Sequence, residues 1–337
     1  MPLASGATMK RREFISLVGG AVLAGPAIAR AQTSGKQPAR VGILWHAGSA
    51  EEEGTNFKAL EKGFADLGPV DGRPIVLVHR FPSERADLFR TMAAELVTSK
   101  VDVLVAVGAN SAPYAKAATP SIPIVFALVP DPLGAKLVTS LARPEANITG
   151  FSNSASDLIG KRLSLLKEVI PGLSKVALLV NTNSPLALGY ETAVHDAAGG
   201  LGLAGVAFKW KSPDDLKPIF GAMKAAGIQA VMFNPDGWAF TYRDLISKLA
   251  LENRLPTSAY SRQTLSAGAL MSYGVDHDAI LYRVATYVSK ILKGVKVEEL
   301  PIEQPTKFEF LINLKTAKAL GLTIPPSMVL RADGVIE

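Results

Sequence analysis

The chain has 337 residues, 48% of them hydrophobic, and 36 basic against 30 acidic side chains give a formal net charge of +6. It has no cysteine, which excludes a disulfide framework and a thioether-linked lipid anchor. The positive excess is too mild for a nucleic-acid footprint, and the length exceeds what one hydrophobic core usually holds, so a two-domain body is expected.

At the N-terminus, Lys10, Arg11 and Arg12 precede an apolar run from Phe14 to Ala29. The run falls short of the ~20 residues of a membrane span. A basic start, a short apolar stretch and the small-residue site Ala29-Arg30-Ala31 together predict a cleavable export signal over 1–31, with Gln32 as the mature start and the periplasm as destination. Arg11-Arg12-Glu13-Phe14-Ile15 resembles the twin-arginine consensus; the alternative is an ordinary secretion signal with two chance arginines. Met9 stands just before the basic cluster, so translation from there would omit residues 1–8. Cleavage would leave a net charge of +3.

Beyond the signal, Val41–Trp45, Ile75–Val78, Val101–Val107 and Ile122–Ala127 are short β-branched runs of the kind a parallel sheet buries on both faces. Phe57–Leu67 and Leu88–Ser99, lying between them, carry apolar residues at helical spacing. The rhythm restarts after Gly150 with a helix over Leu158–Ile170 and strands at Val176–Val180, Val206–Lys209, Ala230–Phe233 and Ala269–Tyr273. Strands alternating with helices predict βαβ units, and two such halves place a crevice at the carboxyl ends of their strands, where doubly wound folds bind ligands.

Several segments carry a family likeness: Ile122 to Ala127, Asp131-Pro132, Ser140 to Pro144, Asn147 to Gly150, Gly160 to Leu163, Leu270 to Gly274, and the long tail from Leu300 through Glu337. On these the chain resembles the substrate-binding proteins of ABC importers, in a branch predicted to carry amino acids. One departure is Pro69, where the family usually has an aromatic. The resemblance implies an α/β fold of two doubly wound Rossmann-like lobes joined by a three-strand hinge, the type I periplasmic-binding fold. It assigns 40–150 plus 275–303 to an N-terminal lobe and 151–274 plus 304–337 to a C-terminal lobe, with crossings near Gly150, Gly274 and Gln304. It implies a monomer that is not an enzyme, closes on a small-molecule ligand, is recognised in its closed form by the permease membrane subunits of an ABC importer, and needs no cofactor.

Small polar residues after a strand expose helix-start N–H groups suited to an anionic ligand group. Ala47-Gly48-Ser49, Gly108-Ala109-Asn110-Ser111 and Asn181-Thr182-Asn183-Ser184 qualify, each with plain N-capping as the alternative. Asp131 and Asp236 follow strands and could accept from a ligand ammonium, or serve only their turns. Trp45, Trp238, Tyr260 and Tyr273 near strand ends could sandwich an apolar side chain; packing is the simpler account of Tyr273, and Trp238 is the better pocket candidate. Catalytic signatures are missing: no G-x-G-x-x-G follows the first strand, there is no phosphate-binding loop and no nucleophile elbow, and the histidines are scattered. His46 near Glu51, Glu52 and Glu53 is a faint metal hint, better read as a solvated acidic helix start. A twin-arginine-exported, cofactor-dependent oxidoreductase and a sensory ligand-binding subunit are the competing classes.

Overall fold

The computed structural model describes residues 36–233 and 235–337, so the export signal read over 1–31, with its twin-arginine motif and cleavage site, lies outside the described residues. The described chain opens with β1 (Ala39–Leu44), the short α1 (Ala50–Glu53) and α2 (Thr55–Leu67). Then come β2 (Ile75–Arg80), α3 (Ala86–Thr98), β3 (Val103–Val107), α4 (Ser111–Ala118), β4 (Ile124–Val129) and β5 (Ile148–Ser152). These five strands form one parallel sheet in the order β2-β1-β3-β4-β5.

The next stretch builds a second sheet. It runs through α5 (Ile159–Val169), β6 (Lys175–Asn181), α6 (Ala187–Gly200), β7 (Ala204–Trp210), α7 (Leu216–Ala225) and β8 (Ala230–Phe233). It continues with α8 (Gly237–Thr241), α9 (Arg243–Glu252), β9 (Thr257–Ala259), α10 (Arg262–Ser266) and β10 (Met271–Gly274). After α11 (His277–Leu292) come β11 (Glu309–Asn313), α12 (Leu314–Leu320), α13 (Pro326–Arg331) and β12 (Gly334–Ile336). The order is β12-β11-β10-β9-β8-β6-β7, parallel except where β10 meets β11.

The inner strands of each sheet are buried on both faces, which is why they read as continuous apolar runs rather than alternating ones. On one face of the first sheet, Val41, Ile43 and Val105 pack against Leu60 and Phe64 of α2 and Leu281, Val284 and Val288 of α11. On the other, Leu44, Leu104 and Ala106 meet Phe89, Ala93 and Leu96 of α3, which recur at the four- and three-residue steps of a helix face. In the second sheet, Val176, Leu178 and Val180 face α5 and α6, whereas Ala177 and Leu179 face Phe220 and Met223 of α7 and Ile246 and Leu249 of α9. Successive residues of these strands thus pack on opposite faces, each covered by helices.

The chain passes between the sheets after β5, between β10 and α11, and between Glu303 and β11, where Ser152 N–H donates to Glu303 O at 2.9 Å. Helix α11, late in the chain, thus covers the first sheet beside α2. The two helices approach so closely that a Cβ on Gly63 would lie 2.3 Å from the Tyr282 carbonyl oxygen. Alanine is intrinsically the better helix former by about 1 kcal/mol, but backbone overlap of this kind costs about 1–3 kcal/mol. Gly63→Ala is therefore expected to destabilise the protein by about 1 kcal/mol or more in urea unfolding; a variant more stable than the parent would contradict this packing.

Candidate functional site

The parallel strands of the two sheets end against one another, and the loops leaving them enclose a small inner cavity. From the first sheet come His46 after β1, Gly108 and Ala109 after β3, and Leu128 and Pro130 at the end of β4. The second contributes Asp236, Gly237 and Phe240 after β8 and Tyr260 after β9. Asn56 of α2, Asn153 and His277 complete the wall. This is the crevice at strand carboxyl ends where open α/β sheets bind ligands.

At its centre, His46 is only 4% exposed. Its Nδ1 lies 3.0 Å from Glu84 Oε1 and its Nε2 3.5 Å from Glu53 Oε1. Asn110 Nδ2 donates to the other Glu84 oxygen at 2.6 Å, and Ala47 N–H donates to Glu53 at 3.3 Å. Burial by itself would lower the imidazole pKa, but the two carboxylates outweigh it and raise it to about 9, with Arg243 opposing weakly. Burial pushes the Glu53 carboxyl up, against the pull of His46. The expectation of a solvated acidic helix start fails at Glu53, which is fully buried because the α1 turn carries it inward under His46; Glu51 and Glu52 stay exposed. No metal-holding group of side chains exists among the described residues.

The second sheet closes over this cluster. The Phe240 ring stands edge-on to His46 at 5.3 Å, and the Arg243 guanidinium lies 4.4 Å over Phe240 while its Nη2 donates to Glu52 O at 3.2 Å. Gly237 presses so near that a Cβ there would lie 1.8 Å from Glu84 Oε1. Gln263 Nε2 donates across to Thr55 Oγ1 at 3.0 Å and Asn56 Oδ1 at 3.1 Å. In this closed arrangement the inner cavity measures about 30 Å³. A wider groove of about 580 Å³ lies outside it, between Arg85, Phe89 and Tyr114 on one side and Asn183, Pro185 and Trp238 on the other.

The residues singled out from sequence divide among these places. Gly108, Asp236 and Tyr260 line the inner cavity, and Asn110, Asn183 and Trp238 line the outer groove. Ser49 caps α1 through Glu52 N–H at 3.3 Å, Ser111 Oγ donates to Val107 O at 2.7 Å, and Ser184 Oγ accepts from Leu186 N–H at 3.3 Å. Asn181 Oδ1 accepts from Asn183 N–H at 2.9 Å, and its Nδ2 donates to Asp236 Oδ1 at 3.4 Å. Asp236 also caps α8 through Ala239 N–H at 3.0 Å, and Tyr260 OH donates to the Asp236 carbonyl at 3.2 Å. Asp131 accepts from Gly134 N–H at 2.8 Å within its turn.

Trp45 turns inward and is fully buried, stacked on His79 and Phe81, with its Nε1 donating to His79 Nδ1 at 3.0 Å; the sheet face claims it, not the crevice. Trp238 leans on Trp210 and Tyr242 while still facing the groove, so surroundings that look polar in sequence include an aromatic cluster brought in by β7. The sequence reading missed His46, Phe240, Asn56 and His277 as wall residues. Position in the loops that follow β1 and β10 could have pointed to His46 and His277; Asn56 and Phe240 carry no such signal.

The raised pKa of His46 means that the folded protein holds a proton which the unfolded chain releases near its ordinary pKa of 6.5. The stabilisation is complete below pH 6.5 and is lost as pH rises to about 9. His277 is lowered to about 4, chiefly by burial, so its imidazole is neutral over the same range. Ring-nitrogen NMR at pH 8 is expected to find His46 protonated and His277 neutral, with unfolding free energy falling between pH 6.5 and 9; a neutral His46 at pH 8 would refute the paired cluster.

Comparison with known proteins agrees with this architecture. A tyrosine-binding protein of Clostridioides difficile strain R20291 is 28% identical over 266 residues, 79% of this chain and 76% of that protein. The structure of a conserved domain protein from Vibrio cholerae matches with a TM-score of 0.82 at 24% identity, over 88% of this chain and 99% of that one. A Streptococcus pneumonia ABC domain in complex with L-Trp matches with a TM-score of 0.81 at 23% identity, over 89% and 100%. These likenesses show the two-sheet, type I periplasmic-binding fold. The model of the ABC transporter substrate binding protein family matches residues 55–336, and the chain belongs to that family.

Proposed function

We propose that this protein is the periplasmic receptor of an ABC importer for an aromatic amino acid, exported by its twin-arginine signal and delivering its ligand to the permease when the lobes are closed. The observation that carries this reading is the inner cavity itself: a carboxylate, Asp236, and two aromatic rings, Phe240 and Tyr260, converge there from the second sheet onto polar groups of the first. The relatives named for tyrosine and L-Trp support the choice of an aromatic side chain.

A cavity of about 30 Å³ has room for about one water. An amino acid therefore enters only when Phe240 and Gly237 draw back from His46 and Glu84, which is an opening of the two sheets about the three crossings. The contacts made by Arg243 and Gln263 across the cleft are those that opening would break. Asp236 then takes the ligand ammonium beside the α8 cap. The N–H groups at the start of α4, near Asn110 and Ser111, take the carboxylate. In this reading Ser49, Asn181 and Ser184 hold the loops, Asn183 and Trp238 guard the outer groove, and Asp131 belongs to its turn.

A ligand at ~100 times its dissociation constant adds ~2.7 kcal/mol of stability, so a thermal-shift screen over amino acids and organic acids is expected to single out aromatic amino acids. Asp236→Asn keeps an oxygen for the α8 cap but strands the ammonium; its loss of ~3 to 5 kcal/mol of binding corresponds to hundreds-fold or more in calorimetry. Unchanged affinity would remove Asp236 from the site, and a shift only with ligands lacking an amino group would overturn the amino-acid reading. For export, replacing Arg11 and Arg12 together by lysine is expected to block processing of the precursor; normal processing would reject the twin-arginine route.

A further inference from the structure

Two side chains in the wall of the inner cavity carry hydrogen-bonding capacity that the protein leaves unused. His277 is 5% exposed, and neither its Nδ1 nor its Nε2 has a hydrogen-bond partner among the described residues. Asn56 is 1% exposed; its Oδ1 accepts from Gln263, while its Nδ2 lies toward the Glu53 carboxyl without reaching hydrogen-bond geometry. Buried polar groups are overwhelmingly paired, and leaving one unpaired is costly, so such orphans facing a cavity mark a place for a ligand group.

Their placement is rigid. Asn56 is the second residue of α2 and His277 the first of α11, the two helices that meet at Gly63. Thr55 Oγ1 donates to Asp278 Oδ1 at 2.9 Å and ties the two helix starts together, so both side chains line the same cavity. The His277 ring also lies 6.1 Å from the Tyr260 ring.

The chemistry of the pair selects its partner. His277 is neutral, since burial, with the nearby His46 cation, outweighs Asp276; it offers one N–H and one lone pair. Asn56 offers N–H only. An ammonium has no acceptor for Asn56, and a carboxylate, which could accept from both groups, would face the Glu53 carboxyl. A hydroxyl donates to the imidazole and accepts from the amide at once. We propose that Asn56 and His277 form a hydroxyl-recognising subsite for the phenolic end of the ligand, making the receptor selective for tyrosine over phenylalanine. This rests on the aromatic amino-acid reading above and names its side chain.

Calorimetry with tyrosine and phenylalanine on the full mature protein tests it. Wild type is expected to prefer tyrosine by about ten- to hundredfold, the scale of one or two hydrogen bonds to otherwise unpaired buried groups. His277→Phe should bring the ratio of tyrosine to phenylalanine affinity close to one, and Asn56→Ala should reduce that ratio in part. If either variant folds poorly, ring-nitrogen NMR of wild type gives the same answer: tyrosine moves the His277 resonances and phenylalanine leaves them. Equal binding of the two amino acids by wild type, or an undiminished preference in His277→Phe, overturns the subsite. The pair 4-hydroxyphenylacetate and phenylacetate separates this from the amino-acid reading. Preference for the hydroxylated acid, with no binding of either amino acid, would sink the reading and keep the subsite; no discrimination in either pair sinks the subsite alone.

Discussion

The ion-paired cluster of His46, Glu53 and Glu84 is the point on which the two sheets meet. Two carboxylates buried in the first sheet's loops would be untenable without a cation between them, because removing one partner of a buried pair leaves an uncompensated charge costing about 3–5 kcal/mol. His46 supplies that cation with its backbone fixed at the end of β1, and Asn110 and the Ala47 amide take further carboxylate oxygens. The second sheet does not neutralise this cluster; it covers it. Phe240 presents a ring edge, Gly237 presents bare backbone, and Arg243 keeps its charge on the Phe240 face and on a carbonyl of α1. Closure thus dries a cluster that is already internally paired, which limits the electrostatic cost of bringing the sheets together.

The same economy governs the connection between the halves. Helix α11 follows a strand of the second sheet but packs its Leu281, Val284 and Val288 on the first, beside α2. Its first residue, His277, therefore sits at a crossing and in the cavity wall at once. A change in the angle between the sheets must act at this end of α11, so the group that reads the ligand in our proposal is also one that the hinge carries. Tyr260 occupies the equivalent place after β9, bonded through its hydroxyl to the Asp236 backbone, which joins two strand ends of the second sheet into one surface.

Chemically the cavity wall is graded. Its second-sheet side pairs a carboxylate with aromatic rings, and its first-sheet side holds a buried cation, a neutral imidazole and an amide. On our proposal, a zwitterion with a ring and a polar tip would find the complementary type of group at each end of such a wall. The outer groove, with Trp238 against Phe89 and Tyr114, adds an aromatic approach to it.

Local sequence determined the alternation of strands and helices: the runs at Val41, Val176 and Ala230 became strands with ends moved by a few residues, because a strand buried on both faces has no choice but to be apolar throughout. It missed β5, β9, β11 and β12, which are five residues or fewer, mix polar with apolar positions, and are strands only because a neighbouring edge pairs with them. Loop chemistry after strands was legible enough to indicate Gly108, Asp236 and Tyr260, since a polar or small residue there must lie at a sheet end whatever the rest of the chain does. Which of those loops face a cavity was decided only by tertiary structure. Trp45 went to the core and Ser49 to a helix cap, whereas His46, Asn56, Phe240 and His277 came together from positions up to 231 residues apart. No local pattern encodes that meeting, because it depends on how two separate sheets are turned toward each other, and the energy that fixes it lies in buried charges and rings that touch only once the chain has folded.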